Sequence, residues 1–174
     1  MNFLTQNKLN QEVYHSKENF FSLTKEDINK LIDLAKKTTR NRVRLCSHSS
    51  GQDSLHEMFI VHPKNAYVRP HMHINKIESM LVLDGEVDYV MFDKKGNIEN
   101  VVSMGSFGST KPFYHSMRKD KFHTIIIKSD WLVFLEITNG PFDKKDTIFA
   151  KWSPMDNEDK KITNFMKKIM TNLR

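Results

Sequence analysis

His71 and His73, one residue apart, and Glu78, five residues further on, are the residues whose types and spacing could do chemistry together. Residues two apart on a strand project to the same face, so the two imidazoles can aim at one point. The stretch from His73 to Glu78 suits a tight turn that returns the carboxylate on the next strand, beside the histidines. Two imidazoles and a carboxylate form a donor set for one divalent ion, Zn(II), Fe(II), Mn(II) or Ni(II). A fourth ligand must come from a later strand. His123, which opens the run HTIIIK, is the best placed, and His115 is the fallback. The competing reading makes these the pairing or core histidines of a polar strand. With eight histidines in 174 residues, a His-x-His pair by itself is weak evidence of a metal.

Further reactive groups cluster between Arg42 and Met58. Arg42 and Arg44 share a strand face, and a guanidinium offers a fork of donors to phosphate or carboxylate. They either clamp an anionic substrate, such as the diphosphate of a nucleotide-sugar, or decorate a solvated edge strand. His48, Arg69 and Glu136 complete the candidate substrate contacts. Glu136 lies within the apolar run FLEIT, where an acid needs a partner. His56 and Glu57 are the candidate proton carriers; as strand neighbours they face opposite ways, so at most one can face a metal. No His follows Glu57 at the offset of a helical zinc-protease motif. Cys46 with His48 could begin a second, softer metal site, or Cys46 could be a small core residue. Tyr67, Tyr89 and Tyr114 could serve as acid/base phenols or as half-buried sheet residues.

The elements that must position these groups are short strands. From Arg42 to about Phe149, runs such as HEMFIVH, ESMLVLDGEVDYVMFD and WLVFLEIT alternate with turn residues and have no helical stretch between them. Asp84-Gly85 and Lys95-Gly96-Asn97 are hairpin-type signals. The pattern predicts an antiparallel sandwich or barrel. A helix is expected over Lys25 to Arg40, capped by Thr24, with Ile28, Leu31, Ile32 and Ala35 as its apolar stripe. Residues 1–22, with Phe3, Leu4, Val13, Tyr14, Phe20 and Phe21 among polar neighbours, form an arm or an edge strand. From about Asp156 to Arg174 a second, basic amphipathic helix is expected. Its stripe of Ile162, Phe165, Met166, Ile169, Met170 and Leu173 packs on the barrel or a second subunit, or else touches a membrane surface or partner.

Composition narrows the class. The chain carries 39% apolar and 28% charged residues, which fits one globular domain. No apolar run reaches the ~20 residues of a membrane helix, and no signal peptide is visible. With one cysteine there is no internal disulfide, which suits a reducing compartment, so a cytoplasmic location is expected. The net charge of +6 favours anionic partners. Its lysines are scattered, however, and no nucleic-acid-binding motif is present.

The spacing His-x-His, four residues, Glu, six residues, Gly, filled by His71, His73, Glu78 and Gly85, resembles the first signature motif of the cupin superfamily. In the second motif His123 stands at the histidine, Arg118 and Asp120 stand where Pro-x-Gly is frequent, and Ile127 replaces a frequent Asn. From about Leu23 to Pro154 the chain more closely resembles the WbuC family of cupin-fold metalloproteins. The residues that carry this are Arg42-x-Arg44-Leu-Cys46-Ser-His48, His56-Glu57-Met58, Pro70-His-Met-His, Phe92-Asp93-x-x-Gly96, His123-Thr124, Glu136, Gly140-Pro141-Phe142 and Ala150-x-Trp152-x-Pro154. The resemblance implies an antiparallel double-stranded β-helix, or jelly-roll, barrel over residues 23–154 with its leading helix. It also implies a homodimer and a place in bacterial O-antigen or other surface-polysaccharide biosynthesis. Residues 155–174 extend past the family's usual end. The activity expected is that of a metal-dependent isomerase or epimerase on a nucleotide-linked sugar. The alternatives are a non-catalytic sugar-binding or regulatory cupin and an Fe(II)-dependent oxygenase.

Overall fold

A computed structural model describes residues 7–118 and 120–173. Phe3 and Leu4 of the expected arm and Arg174 of the expected last helix lie outside the described residues. Twelve strands are described: β1 (Asn7–Lys8), β2 (Val13–His15), β3 (Val43–Cys46), β4 (Leu55–Pro63), β5 (His71–His73), β6 (Glu78–Asp84), β7 (Glu86–Phe92), β8 (Ile98–Gly105), β9 (Tyr114–Met117), β10 (Phe122–Ile127), β11 (Trp131–Asn139) and β12 (Thr147–Phe149). They form a seven-stranded sheet in the order β1-β2-β3-β4-β11-β6-β9 and a five-stranded sheet in the order β12-β5-β10-β7-β8. All pairs are antiparallel except β2 with β3. The result is the two-sheet jelly-roll barrel that the strand pattern predicts.

Alternation along the strands sorts side chains between barrel interior and outer face. In the first sheet, register aligns His15, Cys46, Met58, Glu136, Met80 and His115 across six strands, and Cys46, Met58 and Met80 belong to the interior core. The residues one step away, such as Leu45 and Val61, face outward and pack against the first helix, α1 (Lys25–Ala35), through Leu31 and Ala35. Thr24 caps α1: its hydroxyl accepts the Asp27 amide N–H while the Asp27 carboxylate accepts the Thr24 amide N–H. The helix ends at Ala35 rather than Arg40. The chain turns there, with Asn41 in the left-handed region, and Arg40 reaches Glu12 instead of the helix terminus. Residues 7–8 and 13–15 are strands that extend the sheet, so β3 is not at its edge.

The second helix, α2 (Asp159–Asn172), lies on the outer face of the five-stranded sheet. Ile169 is buried with Val90, Phe92 and Ile126, and Phe165, Met166 and Leu173 pack around them. Met170, expected on the same stripe, is exposed. Lys95-Gly96-Asn97 joins β7 to its partner β8, as a hairpin should. Asp84-Gly85 does not make a hairpin. Asp84 pairs with Val133 in one sheet and Glu86 with Gly105 in the other, so the turn is a corner between sheets. Gly85 sits at φ +92°, and a Cβ there would stand 2.4 Å from the Ser129 hydroxyl and the Trp131 carbonyl oxygen. Only glycine fits such a corner.

Candidate metal centre

The two sheets bring four donors together at one end of the barrel. His71 and His73 lie on β5, and His123 lies directly across from His71 on β10. Glu78 starts β6, in the opposite sheet. It therefore faces the histidines from across the barrel and does not return beside them. The turn between them is held at several points: Asn75 adopts φ +57°, the Ile74 amide donates to the Asp146 carbonyl, and the Ile77 amide donates to the Asn139 side chain. Nothing in the local sequence distinguishes a hairpin from this crossing.

One ligand atom from each of His71, His73, Glu78 and His123 lies within 4.8 Å of the others. Glu78 Oε2 is 3.2 Å from His73 Nε2, and Oε1 is 3.5 Å from His123 Nε2. Each histidine is oriented through its other nitrogen. His71 Nδ1 meets the Arg69 carbonyl at 2.8 Å, His123 Nδ1 meets the Lys121 carbonyl at 3.0 Å, and His73 Nδ1 meets the Thr147 hydroxyl at 3.1 Å. Nδ1–H donation to a carbonyl leaves the Nε2 lone pair for a ligand, the usual outer support of a metal-binding imidazole. Tyr89 adds the fourth support by donating to Glu78 Oε1 at 3.0 Å, and its ring stacks on His123.

The electrostatics suit a cation. Burial pushes His71 down to about 4, so its imidazole is neutral at physiological pH. Burial acts to raise Glu78, but the imidazoles of His123 and His73 outweigh it and hold the carboxyl well below its ordinary value. Burial acts to lower His123, but the Glu78 carboxylate outweighs it and raises the value. Three imidazoles and one carboxylate, all inward and externally oriented, fit a borderline divalent ion. His115 stands apart from this group, on β9, with its ring beside Tyr89 and its buried Nε2 without a hydrogen bond among the described residues.

A cavity of about 600 Å³ runs from these donors along the interior of the seven-stranded sheet. Arg42, Arg44, His48, His56, Arg69 and Glu136 all lie on its wall. Glu57 is not on the wall: its carboxylate accepts the Ser47 hydroxyl at 2.9 Å. Of the two candidate proton carriers only His56 faces the cavity, stacked on His48 at 4.2 Å, with the Asp53 and Gly51 backbone beside its ring. The two arginines differ. Arg42 donates from Nε to Glu12 at 3.0 Å, whereas the Arg44 guanidinium has no acidic or hydrogen-bonding partner among the described residues. Arg69 is held by Ser153 and the Ala150 carbonyl and lies over the Phe149 ring.

Glu136 has no hydrogen bond among the described residues. Burial pushes its carboxyl up to about 7, helped by the Glu78 charge and opposed by Arg44. Of the tyrosines, Tyr67 donates to the Pro154 carbonyl and Tyr114 to the Ser79 hydroxyl. Sequence reasoning did not find the support that Thr147 gives His73, nor the tie of Arg42 to Glu12.

No curated protein matches the chain by sequence. The sequence model of a domain of unknown function, DUF6016, matches residues 23–104. Among solved structures, protein SO0799 from Shewanella oneidensis is similar with a TM-score of 0.52 at 9% identity, over 74% of this chain and 85% of that one. The capsular polysaccharide assembling protein CapF from Staphylococcus aureus is similar with a TM-score of 0.49 at 17% identity, over 63% of this chain and 29% of that one. A single-residue mutant of Bacillus subtilis oxalate decarboxylase gives a TM-score of 0.45 at 17% identity, over 56% of this chain. The match spans about a quarter of that protein's length, 24%. With two facing sheets, antiparallel but for one pair, and the histidine cluster at one end of the barrel, the fold of this chain is that of a cupin.

Proposed function

We propose that this chain is a metal-dependent cupin that isomerises or epimerises a nucleotide-linked sugar in bacterial surface-polysaccharide biosynthesis. The observation that carries the reading is the cavity itself: four metal-type donors at one end, the Arg44 guanidinium on its wall with no partner among the described residues, and an interior carboxyl poised near neutrality. Its volume falls in the range of small-molecule sites. The resemblance to WbuC proteins supports the pathway, and it adds a homodimer as the working unit.

His71, His73, Glu78 and His123 hold the ion in this reading. When bound, the ion supplies Lewis acidity toward a carbonyl or hydroxyl oxygen. The chain's own residues do the rest. Arg44 binds the anionic part of the substrate with a guanidinium that no carboxylate among the described residues occupies. Glu136 exchanges a proton with the sugar: a carboxyl with a value of about 7 is divided between acid and base at neutral pH. With a cation held at the histidines, Glu136 would shift toward its ionised form and act as the base. His56 is a second proton carrier on the same wall.

The test is elemental analysis of the purified protein and its His71→Ala and His123→Ala variants, followed by proton NMR of nucleotide-linked sugars with the loaded protein in D2O. The expected result is one equivalent of metal at this centre, lost in both variants, and deuterium entering a sugar C–H position. Sugar binding without exchange would point to a non-catalytic cupin. Oxygen consumption by the iron form would point to an oxygenase. Either outcome overturns the isomerase reading.

A further inference from the structure

A second set of donors lines the same cavity without belonging to the centre above. His15 on β2, Cys46 on β3 and His48 just beyond β3 each offer a ligand atom within 4.8 Å of the others. We propose that His15, Cys46 and His48 form a second metal site, a thiolate and two imidazoles that take a soft to borderline ion of the Zn(II) class.

The geometry comes from an unusual part of the fold. β2 runs parallel to β3, with His15 beside Cys46, and the Ser16 amide donates to the Cys46 carbonyl at 2.8 Å. That pairing brings a histidine from 31 residues earlier in the chain into line with the cysteine. Both imidazoles are oriented through Nδ1, as those of the first centre are. His15 Nδ1 meets the His48 carbonyl at 3.2 Å, which fixes one ligand's ring to the other ligand's backbone. The Glu57 amide N–H donates to His48 Nδ1 at 3.2 Å, and the Glu57 carbonyl lies 3.3 Å from the same nitrogen. An ion at His48 Nε2 selects the other tautomer, in which Nδ1–H donates to the Glu57 carbonyl in place of accepting from the amide.

Cys46 is the chain's only cysteine, is buried, and its thiol makes no hydrogen bond among the described residues. A buried thiol beside Met58 and Ile60 is ordinary core packing. Two backbone-oriented imidazoles at ligand distance from it are not required by packing. Binding replaces the thiol proton, which leaves to solvent, and the sulfur becomes a thiolate ligand. Three protein ligands would leave room for an exogenous group on the ion, and all three residues line the cavity. His56, stacked on His48, lies at its margin.

The probe is Co(II), added to metal-free protein in the full-length chain. The first centre contains no sulfur, so a sulfur-to-cobalt charge-transfer band in the near ultraviolet reports the second site alone. We expect two equivalents bound in the wild type, with the band present. His73→Ala should lose one equivalent and keep the band. Cys46→Ser should lose one equivalent and the band, and Zn(II) should displace cobalt from the wild-type site. Because Cys46→Ser could unfold a buried position, His15→Gln and His48→Gln are measured as well, with circular dichroism to confirm folding. Both should weaken cobalt binding at the band at least tenfold. A wild type without the band, or a band unchanged in both glutamine variants, would overturn the proposal.

Discussion

Glu136→Gln should stabilise the metal-free protein, and more so at high pH. The wild-type carboxyl sits in the barrel interior with no hydrogen bond among the described residues, and burial raises it from an ordinary 4.5 to about 7. A carboxyl raised in the folded state carries no penalty below its unfolded value. As pH climbs from 4.5 through 7, the unfolded chain releases its proton first, and folding becomes progressively less favourable. Above 7 the penalty is complete. That displacement corresponds to about 3 kcal/mol, and about 2 kcal/mol of it develops between roughly pH 5.5 and roughly pH 8.5. Glutamine keeps the shape and cannot ionise, so the variant should lack this slope. The assay is urea denaturation of both proteins, stripped of metal, at the two pH values, with the m-value checked for constancy. Loading the wild type with a divalent ion should flatten its slope, since a cation beside Glu78 offsets the carboxylate that helps raise Glu136. Equal pH dependence in the two proteins, or a variant less stable at high pH, would refute the argument from burial.

Three further outcomes follow from the packing. Tyr89→Phe removes the hydroxyl that donates to Glu78 and should weaken metal affinity about 10- to 100-fold, as loss of an outer-shell partner does. Competition with a chelator reads this, and unchanged affinity would mean the phenol does not orient the carboxylate. Ile169→Ala should cost about 2–5 kcal/mol, the range for truncating a buried aliphatic chain, and leave metal content intact because α2 sits outside the barrel. Loss of metal in that variant would show that the helix supports the site. Gly85→Ala should destabilise by well over ~1 kcal/mol, because the alanine meets both a left-handed φ and two oxygens at 2.4 Å. A thermal midpoint equal to wild type would show that the corner can shift.

The convergence of His71, His73 and Glu78 was legible in sequence because their spacing is local: they lie within one strand, one turn and the next strand start. The α1 cap was legible for the same reason, since Thr24 and Asp27 close on each other within one turn. Asp84-Gly85 misled because turn chemistry records the sign of φ at Gly85 and says nothing of which sheet receives the next strand. Arg42 and Arg44 looked equivalent at a spacing of two. Only the placement of Glu12, 30 residues away from Arg42, separates the paired one from the free one. Thr147 bonds His73 across 74 residues, and no short pattern encodes that contact. The N-terminal segment showed no period because β1 and β2 are two and three residues long, too short to display one.

The division of the ligands between near and far in sequence has a thermodynamic consequence. If these residues bind an ion as proposed, an unfolded chain, which already holds His71, His73 and Glu78 close together, chelates it weakly before any barrel exists. His123 joins only when β10 pairs with β5. An ion stabilises a fold only by the difference between its affinities for the native and the denatured chain. The melting-temperature gain on loading is therefore a measure of what the last histidine and the supports of the closed barrel add to a chelate that the denatured chain partly keeps.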